Sequence, residues 1–188
     1  MEEKLTEEQR EEILKIAERA SKIYESVNQK YDDKPYGYHL GFVATIMKTY
    51  VDEFNPGYEL YKILFFASVF HDSIENARLT YNDVLKIAKE YMSPEDAIQA
   101  TEIVYALTND KGRTRQERAG ENYYNGIRET LYAPFIKACD RYSNIWYSKE
   151  KGSRMYDVYK KEMPEFLDHI QVDSNPVPPE LLKALQEI

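Results

Sequence analysis

Residues 58–72, YELYKILFFASVFHD, constrain the fold more than any other stretch of this sequence. Apolar side chains run nearly all the way round a helical wheel, the mark of a helix buried on every side. A helix surrounded in this way needs neighbours, and they must be apolar on the faces they turn toward it. The run is too short for a membrane span, since residues 63–70 are well below the roughly 20 that a bilayer needs. It ends in His71 and Asp72, two groups that are costly to bury without partners. Two readings stand here. The pair ligates a metal, since imidazole nitrogen and carboxylate oxygen both suit divalent manganese, iron or zinc. Alternatively, the helix end reaches solvent, with His71 beside the C-terminal end of the helix dipole.

The neighbours are legible as helices. Thr6-Glu7-Glu8-Gln9 has the form of a capping box, and after it Ile13, Ile16, Ala17, Ala20, Ile23, Tyr24 and Val27 recur at helical spacing. Residues 28–36, NQKYDDKPY, read as a loop, and a second helix is expected over residues 36–54, before the Asn55-Pro56-Gly57 turn signal. Thr80 with Asp83 and Ser93-Pro94 with Asp96 mark two more helix starts. Residues 131–148 and 153–170 predict two further helices, with Pro134 in the first turn of the earlier one. No strand alternation stands out, and glycine is scarce, with 7 in 188 residues. The expectation is an all-α fold, a compact bundle of about eight to ten helices. Residues 1–172 form its single domain, and residues 173–188, with three prolines near their start, form a linker and a short terminal helix.

Composition narrows the function. The formal net charge is −8, which disfavours binding to a nucleic-acid backbone, because that requires clustered cations. An anionic small molecule needs a local basic patch, and residues 111–118, KGRTRQER, are the densest basic stretch. Such a stretch is either a solvated face or an arginine clamp for polyphosphate. The acidic, polar start MEEKLTEEQR does not resemble a leader peptide, and a single cysteine, Cys139, leaves no disulfide framework. A cytoplasmic protein without membrane association is expected.

Three histidines are present: His39 after an aromatic loop, His71 at the end of the buried helix, and His169 in a polar late helix, where it reads as a surface residue. Asp140 lies inside the apolar segment FIKACDRYSNIWY and needs a partner, which a metal or Arg141 could supply. His39, His71, Asp72 and Asp140 together make two nitrogen and two oxygen ligands. Glu75, four residues after His71, falls on the same side if the helix continues. Beside a metal it is a candidate general base.

The order H, HD, D on an all-helical chain resembles the HD-domain metal-dependent phosphohydrolases. Within them, DDKPYGYHLGFVA is similar to the DGxPYxxHPLxVA stretch of the RelA/SpoT hydrolase branch, and HDSIENARLTYNDV to its HDxxEDTxxTxxxI stretch. ALTNDKGRTRQER resembles its xTK…R…R stretch, and FIKACDRYSNI its xIKxADRxxNx stretch. The four fall in family order over residues 15–150, and the chain is too short to hold a synthetase domain as well. The resemblance implies a small alarmone hydrolase that uses Mn²⁺, or another divalent metal, to remove the 3′-pyrophosphate of guanosine tetra- or pentaphosphate. It implies metal ligation by His39, His71, Asp72 and Asp140, with Glu75 as the catalytic glutamate and Asn144 beside the nucleoside. Lys30, Lys34, Arg115, Arg118 and Lys137 would contact the nucleotide substrate. Asn76 departs from the family, which has an aspartate there, so acid–base work shared by two acids in relatives would fall to Glu75 alone. Leu40-Gly41 replaces the usual proline after the first histidine. Two other functions compete: an HD phosphohydrolase acting on a nucleoside monophosphate or NADPH, and a non-catalytic nucleotide-binding protein that retains the helical shell.

Overall fold

A computed structural model of the chain describes residues 5–109 and 113–188, apart from the side chains of Arg115 and Gln116. It is all-α. Nine helices have eight residues or more among the described residues: α1 (Glu7–Ser26), α2 (Gly37–Tyr50), α3 (Tyr58–Phe70), α5 (Tyr81–Ala88), α6 (Pro94–Ala106), α8 (Glu121–Glu129), α9 (Ala133–Glu150), α10 (Met155–Ile170) and α11 (Pro179–Glu187). Two single turns, α4 (Ser73–Asn76) and α7 (Arg115–Arg118), complete the set.

The helix starts follow the capping chemistry of the sequence. Thr6 accepts from the Gln9 backbone N–H while Gln9 returns a bond to the Thr6 N–H. Thr80 and Asp83 repeat the exchange at α5, and Ser93 caps α6 ahead of Pro94. Each such cap contributes about 1 kcal/mol by satisfying a backbone donor that the helix leaves open.

Helix α3 is the centre of the molecule. Every residue from 61 to 70 is buried, and it packs against α1, α2, α6 and α9. Phe66 and Phe70 stack at 4.2 Å, both fully buried. Each such ring contributes about 1.5–3 kcal/mol through removal from water. Lys62 is the one charged residue of this run, and its ammonium pairs with Glu12 and Glu59 at 3.3 and 3.0 Å. No described helix is long and apolar enough to cross a membrane.

Three local features differ from the sequence expectation. The second helix stops at Tyr50, and a 3-10 turn, Val51–Phe54, carries the chain to Asn55 in a left-handed conformation. The loop before α2 contains a minimal hairpin, β1 (Lys30–Tyr31) and β2 (Lys34–Pro35), with Tyr31 opposite Lys34. Pairs this short carry no alternation to detect. The segment after residue 172, expected as a linker and a short helix, packs onto the body, because Val177, Leu181 and Leu185 join the common core. Asn175 ties it down: its Oδ1 accepts from the Tyr132 N–H at 2.8 Å, and its Nδ2 donates to the carbonyls of Arg128 and Thr130. Those bonds hold the turn that launches α9, where Tyr132 takes a left-handed φ of 67°.

Candidate metal centre

Four elements bring their ends or middles to one point. His39 lies in the first turn of α2, His71 caps the C-terminus of α3, Asp72 begins α4, and Asp140 lies midway along α9. Helix α2 starts hard against α1: a Cβ at Gly37 would come within 2.9 Å of Ser21 Oγ. Glycine at this position lets the first turn, and His39 with it, sit that deep.

The donor atoms converge. His39 Nε2 and His71 Nε2 are 3.3 Å apart, and Asp140 Oδ1 is 3.4 Å from the first and 3.7 Å from the second. Asp72 Oδ2 lies 3.3 Å from His71 Nε2 and 3.9 Å from His39 Nε2. His39, His71 and Asp140 are buried, and each offers an atom within 4.8 Å of the others, so the cluster could hold a metal ion.

The tautomers sharpen that conclusion. His71 Nδ1 is 2.8 Å from the Ser68 carbonyl, which can only accept, so Nδ1 carries the hydrogen and Nε2 turns a lone pair inward. His39 Nδ1 meets Ser143 Oγ at 3.3 Å, leaving its Nε2 to face the same point. The His71 lone pair and two carboxylates facing one another repel unless a hydrogen or a metal ion lies among them. A proton can serve. Burial opposes an imidazolium at His71, but Asp72 and Asp140 outweigh it and raise the His71 pKa to about 9. Burial likewise opposes ionised Asp72, yet His71 holds that carboxyl down at about 2. Asp140 is held well below the usual carboxylate range against its own burial, chiefly by Lys137 and the two imidazoles. A divalent ion answers the same demand with no proton. Donors 3.3–3.9 Å apart suit one ion with ligand bonds of about 2.0–2.2 Å.

Outer bonds orient the inner ones, as metal sites require. Lys137 Nζ donates to Asp140 Oδ2 at 3.0 Å. Asn144 Nδ2 donates to Asp140 Oδ1, and Asn144 Oδ1 accepts from the Tyr31 hydroxyl at 2.8 Å. Tyr31 also stacks on the His39 ring, centroids 4.5 Å apart. The Tyr36 hydroxyl donates to Asp72 Oδ2 and accepts from Asn76 Nδ2 at 2.9 Å.

The cluster opens into a cavity of about 570 Å³. His39, Asp72 and Asp140 line its floor, with Glu75, Asn76, Lys137, Asn144 and Arg118 on its walls. Glu75 Oε2 accepts from Asn109 Nδ2 at 2.9 Å.

The substrate contacts expected from sequence divide. Lys30 and Lys34 do not line the cavity. Side chains alternate along a strand, so with Tyr31 turned inward Lys30 faces out, and the Lys34 ammonium lies 3.7 Å from Asp33. Lys137 is present but engaged with Asp140. Lys111, Gly112 and the side chain of Arg115 lie outside the described residues, while Thr114 and Arg118 reach the cavity. His169 is no plain surface residue: it stacks on Tyr124 at 4.3 Å and lines the far wall, because α10 packs across α8. Tyr31, Tyr36, Tyr123, Tyr124 and Arg141 also line the cavity; Tyr123 and Tyr124 carried no sequence signal beyond the count of 17 tyrosines, and Arg141, named as a possible partner of Asp140, pairs with Glu162 instead.

Set against known proteins, the chain matches no family model, no curated protein and no solved structure. What this centre can do follows from its own atoms.

Proposed function

We propose that the chain is a metal-dependent phosphohydrolase acting on a nucleotide. The substrates we favour are guanosine tetra- and pentaphosphate, from which it removes the 3′-pyrophosphate. One observation carries the reading: His39, Asp72 and Asp140 line the floor of an open cavity with His71 Nε2 3.3 Å from His39 Nε2 just beneath it, and the carboxylate of Glu75 is on its wall. The choice of alarmone rests on the four sequence stretches that resemble the RelA/SpoT branch. The basic stretch after α6, whose Thr114 and Arg118 line the cavity, is consistent with it.

His39, His71, Asp72 and Asp140 would hold the ion, for which manganese is the expected choice. Such an ion supplies Lewis acidity to the phosphoryl group and brings the pKa of water toward neutrality. The protein's own residues do the remainder. Glu75, steadied by Asn109, accepts a proton from the attacking water and delivers it to the leaving 3′-oxygen. Water adds to phosphorus, the bond from phosphorus to the 3′-oxygen breaks, and pyrophosphate leaves with GDP or GTP as the other product. Arg118 offers a guanidinium to the phosphates. Asn144, bridging Asp140 and Tyr31, stands beside the floor, where a nucleoside would lie.

A second reading has support in the charge distribution. Lys137 is neutralised by Asp140 and Arg141 by Glu162 at 3.0 Å, and Glu165 also lines the cavity. A substrate that gives up a single phosphomonoester, such as a nucleoside monophosphate or the 2′-phosphate of NADPH, needs fewer cations at the reacting group than a diphosphate does. Incubation with Mn²⁺ and each substrate class, with the products resolved by anion-exchange chromatography, separates the two. Release of pyrophosphate from guanosine tetraphosphate supports the first reading. Release of orthophosphate from a monophosphate ester alone supports the second, and no hydrolysis of any nucleotide by the metal-loaded protein ends both.

A further inference from the structure

The residue that departs from the resembled family has a visible task. We infer that Asn76 is a positioning residue: it fixes the direction of the Tyr36 hydroxyl proton and so holds Asp72 in place for the metal. The inference rests on the metal-site reading above.

A tyrosine hydroxyl has one proton to give and can also accept. At Tyr36 the proton goes to Asp72 Oδ2, and the oxygen accepts from Asn76 Nδ2 at 2.9 Å. The chain of bonds runs one way only, from amide to hydroxyl to carboxylate. The ring is fixed as well, being buried and stacked on Tyr24 with centroids 4.6 Å apart and planes 10° apart. The Tyr36 carbonyl accepts from the backbone N–H groups of His39 and Leu40 at 3.0 and 3.2 Å. Tyr36 therefore seats one proposed ligand through its backbone and another through its hydroxyl, and Asn76 sets the sense of the second.

An aspartate at position 76 would present a second acceptor to a hydroxyl with a single proton. Either Tyr36 would abandon Asp72, or two oxygens would face each other with no hydrogen between them. A carboxylate added near a cation site should by charge alone attract the cation. The hydrogen-bond pattern predicts the opposite sign, and this separates the two effects.

The test is calorimetric titration of Mn²⁺ into metal-free wild type, Asn76→Asp, Tyr36→Phe and the double variant, with circular dichroism to confirm folding. Loss of an outer-shell partner typically weakens metal binding 10- to 100-fold. Asn76→Asp should fall within that range despite its added negative charge, and so should Tyr36→Phe. On the Tyr36→Phe background, Asn76→Asp should cause no further loss. Should Asn76→Asp fail to fold, Asn76→Leu replaces it, with a smaller loss that again vanishes without the Tyr36 hydroxyl. Unchanged or tighter binding by Asn76→Asp overturns the inference and leaves the metal site standing. An equal loss on both backgrounds overturns the route through Tyr36. A wild-type chain that takes up no Mn²⁺ overturns the metal reading and this inference with it.

Discussion

The two sides of the cavity are built on different terms. At and just beneath the floor, His39, His71 and Asp140 are buried, each is held by an outer partner, and their inward atoms crowd together. On the far wall, formed by α7, α8, α10 and one face of α9, polar groups satisfy one another: Arg141 pairs with Glu162 and lies over the Phe166 ring at 4.4 Å, and His169 stacks on Tyr124. The far wall is complete as it stands, whereas the floor could still take a metal ion. The difference says where the protein is committed and where it is adaptable. Four polar groups converging from separate elements have few alternative arrangements, while an aromatic and charged wall leaves room for several.

The sharpest way to break this contrast is at the floor. His71→Ala or Asp140→Asn should reduce bound manganese to background, measured by plasma mass spectrometry after dialysis. Asp140→Asn also strands Lys137, and removing one partner of a buried pair costs about 3–5 kcal/mol, to be read from denaturant unfolding. Next in size is Glu75→Gln, with turnover falling about 10²- to 10⁴-fold while manganese content stays at the wild-type level. If metal content falls as well, Glu75 belongs to the ligand set. On the far wall the expected effect is milder. Arg118→Ala should raise KM about tenfold, the size of one charge-assisted hydrogen bond, with kcat little changed. Unchanged kinetics would make the basic stretch a solvated face.

The smallest effect concerns protons in the metal-free chain. The folded His71 pKa is raised to about 9 from 6.5, with burial opposed by Asp72 and Asp140, so the folded state binds more protons than the unfolded state between those values. This contribution to stability is fully present below about pH 6.5 and is lost as pH rises through 9. The melting temperature of the metal-free protein should therefore fall by a few degrees over that window. Bound manganese should remove the slope, since the ion takes the place of the proton.

Much of the fold was open to inspection in the sequence because helical periodicity and capping are local. Thr6, Thr80 and Ser93 mark starts that the structure keeps within a residue. The buried ring of residues on α3 announced itself through composition alone. The floor was legible because His71 and Asp140 are polar groups in apolar runs, which is a contradiction within a single segment. The far wall was hidden for the converse reason. Tyr124, Arg141 and His169 look ordinary where they stand in the chain, and only the packing of α8, α9 and α10 brings them together. Lys30 and Lys34 lie outside the cavity lining, Lys30 on the outer face of a two-residue strand that leaves no pattern to read and Lys34 beside Asp33. Asn76 could be seen as unusual, but its bond to Tyr36 spans 40 positions and no local rule reaches that far.

The hydrogen on His71 Nδ1 is directed by a peptide carbonyl, that of Ser68, one turn back along the same helix. The His39 ring is instead oriented at Nδ1 by the hydroxyl of Ser143. The two imidazoles therefore differ in their exposure to genetic change. A single codon can remove the hydroxyl that orients His39, whereas no substitution at position 68 deletes a carbonyl, and only distortion of α3 itself would release His71. One half of the centre can be retuned by point mutation, and the other half is inherited with the helix.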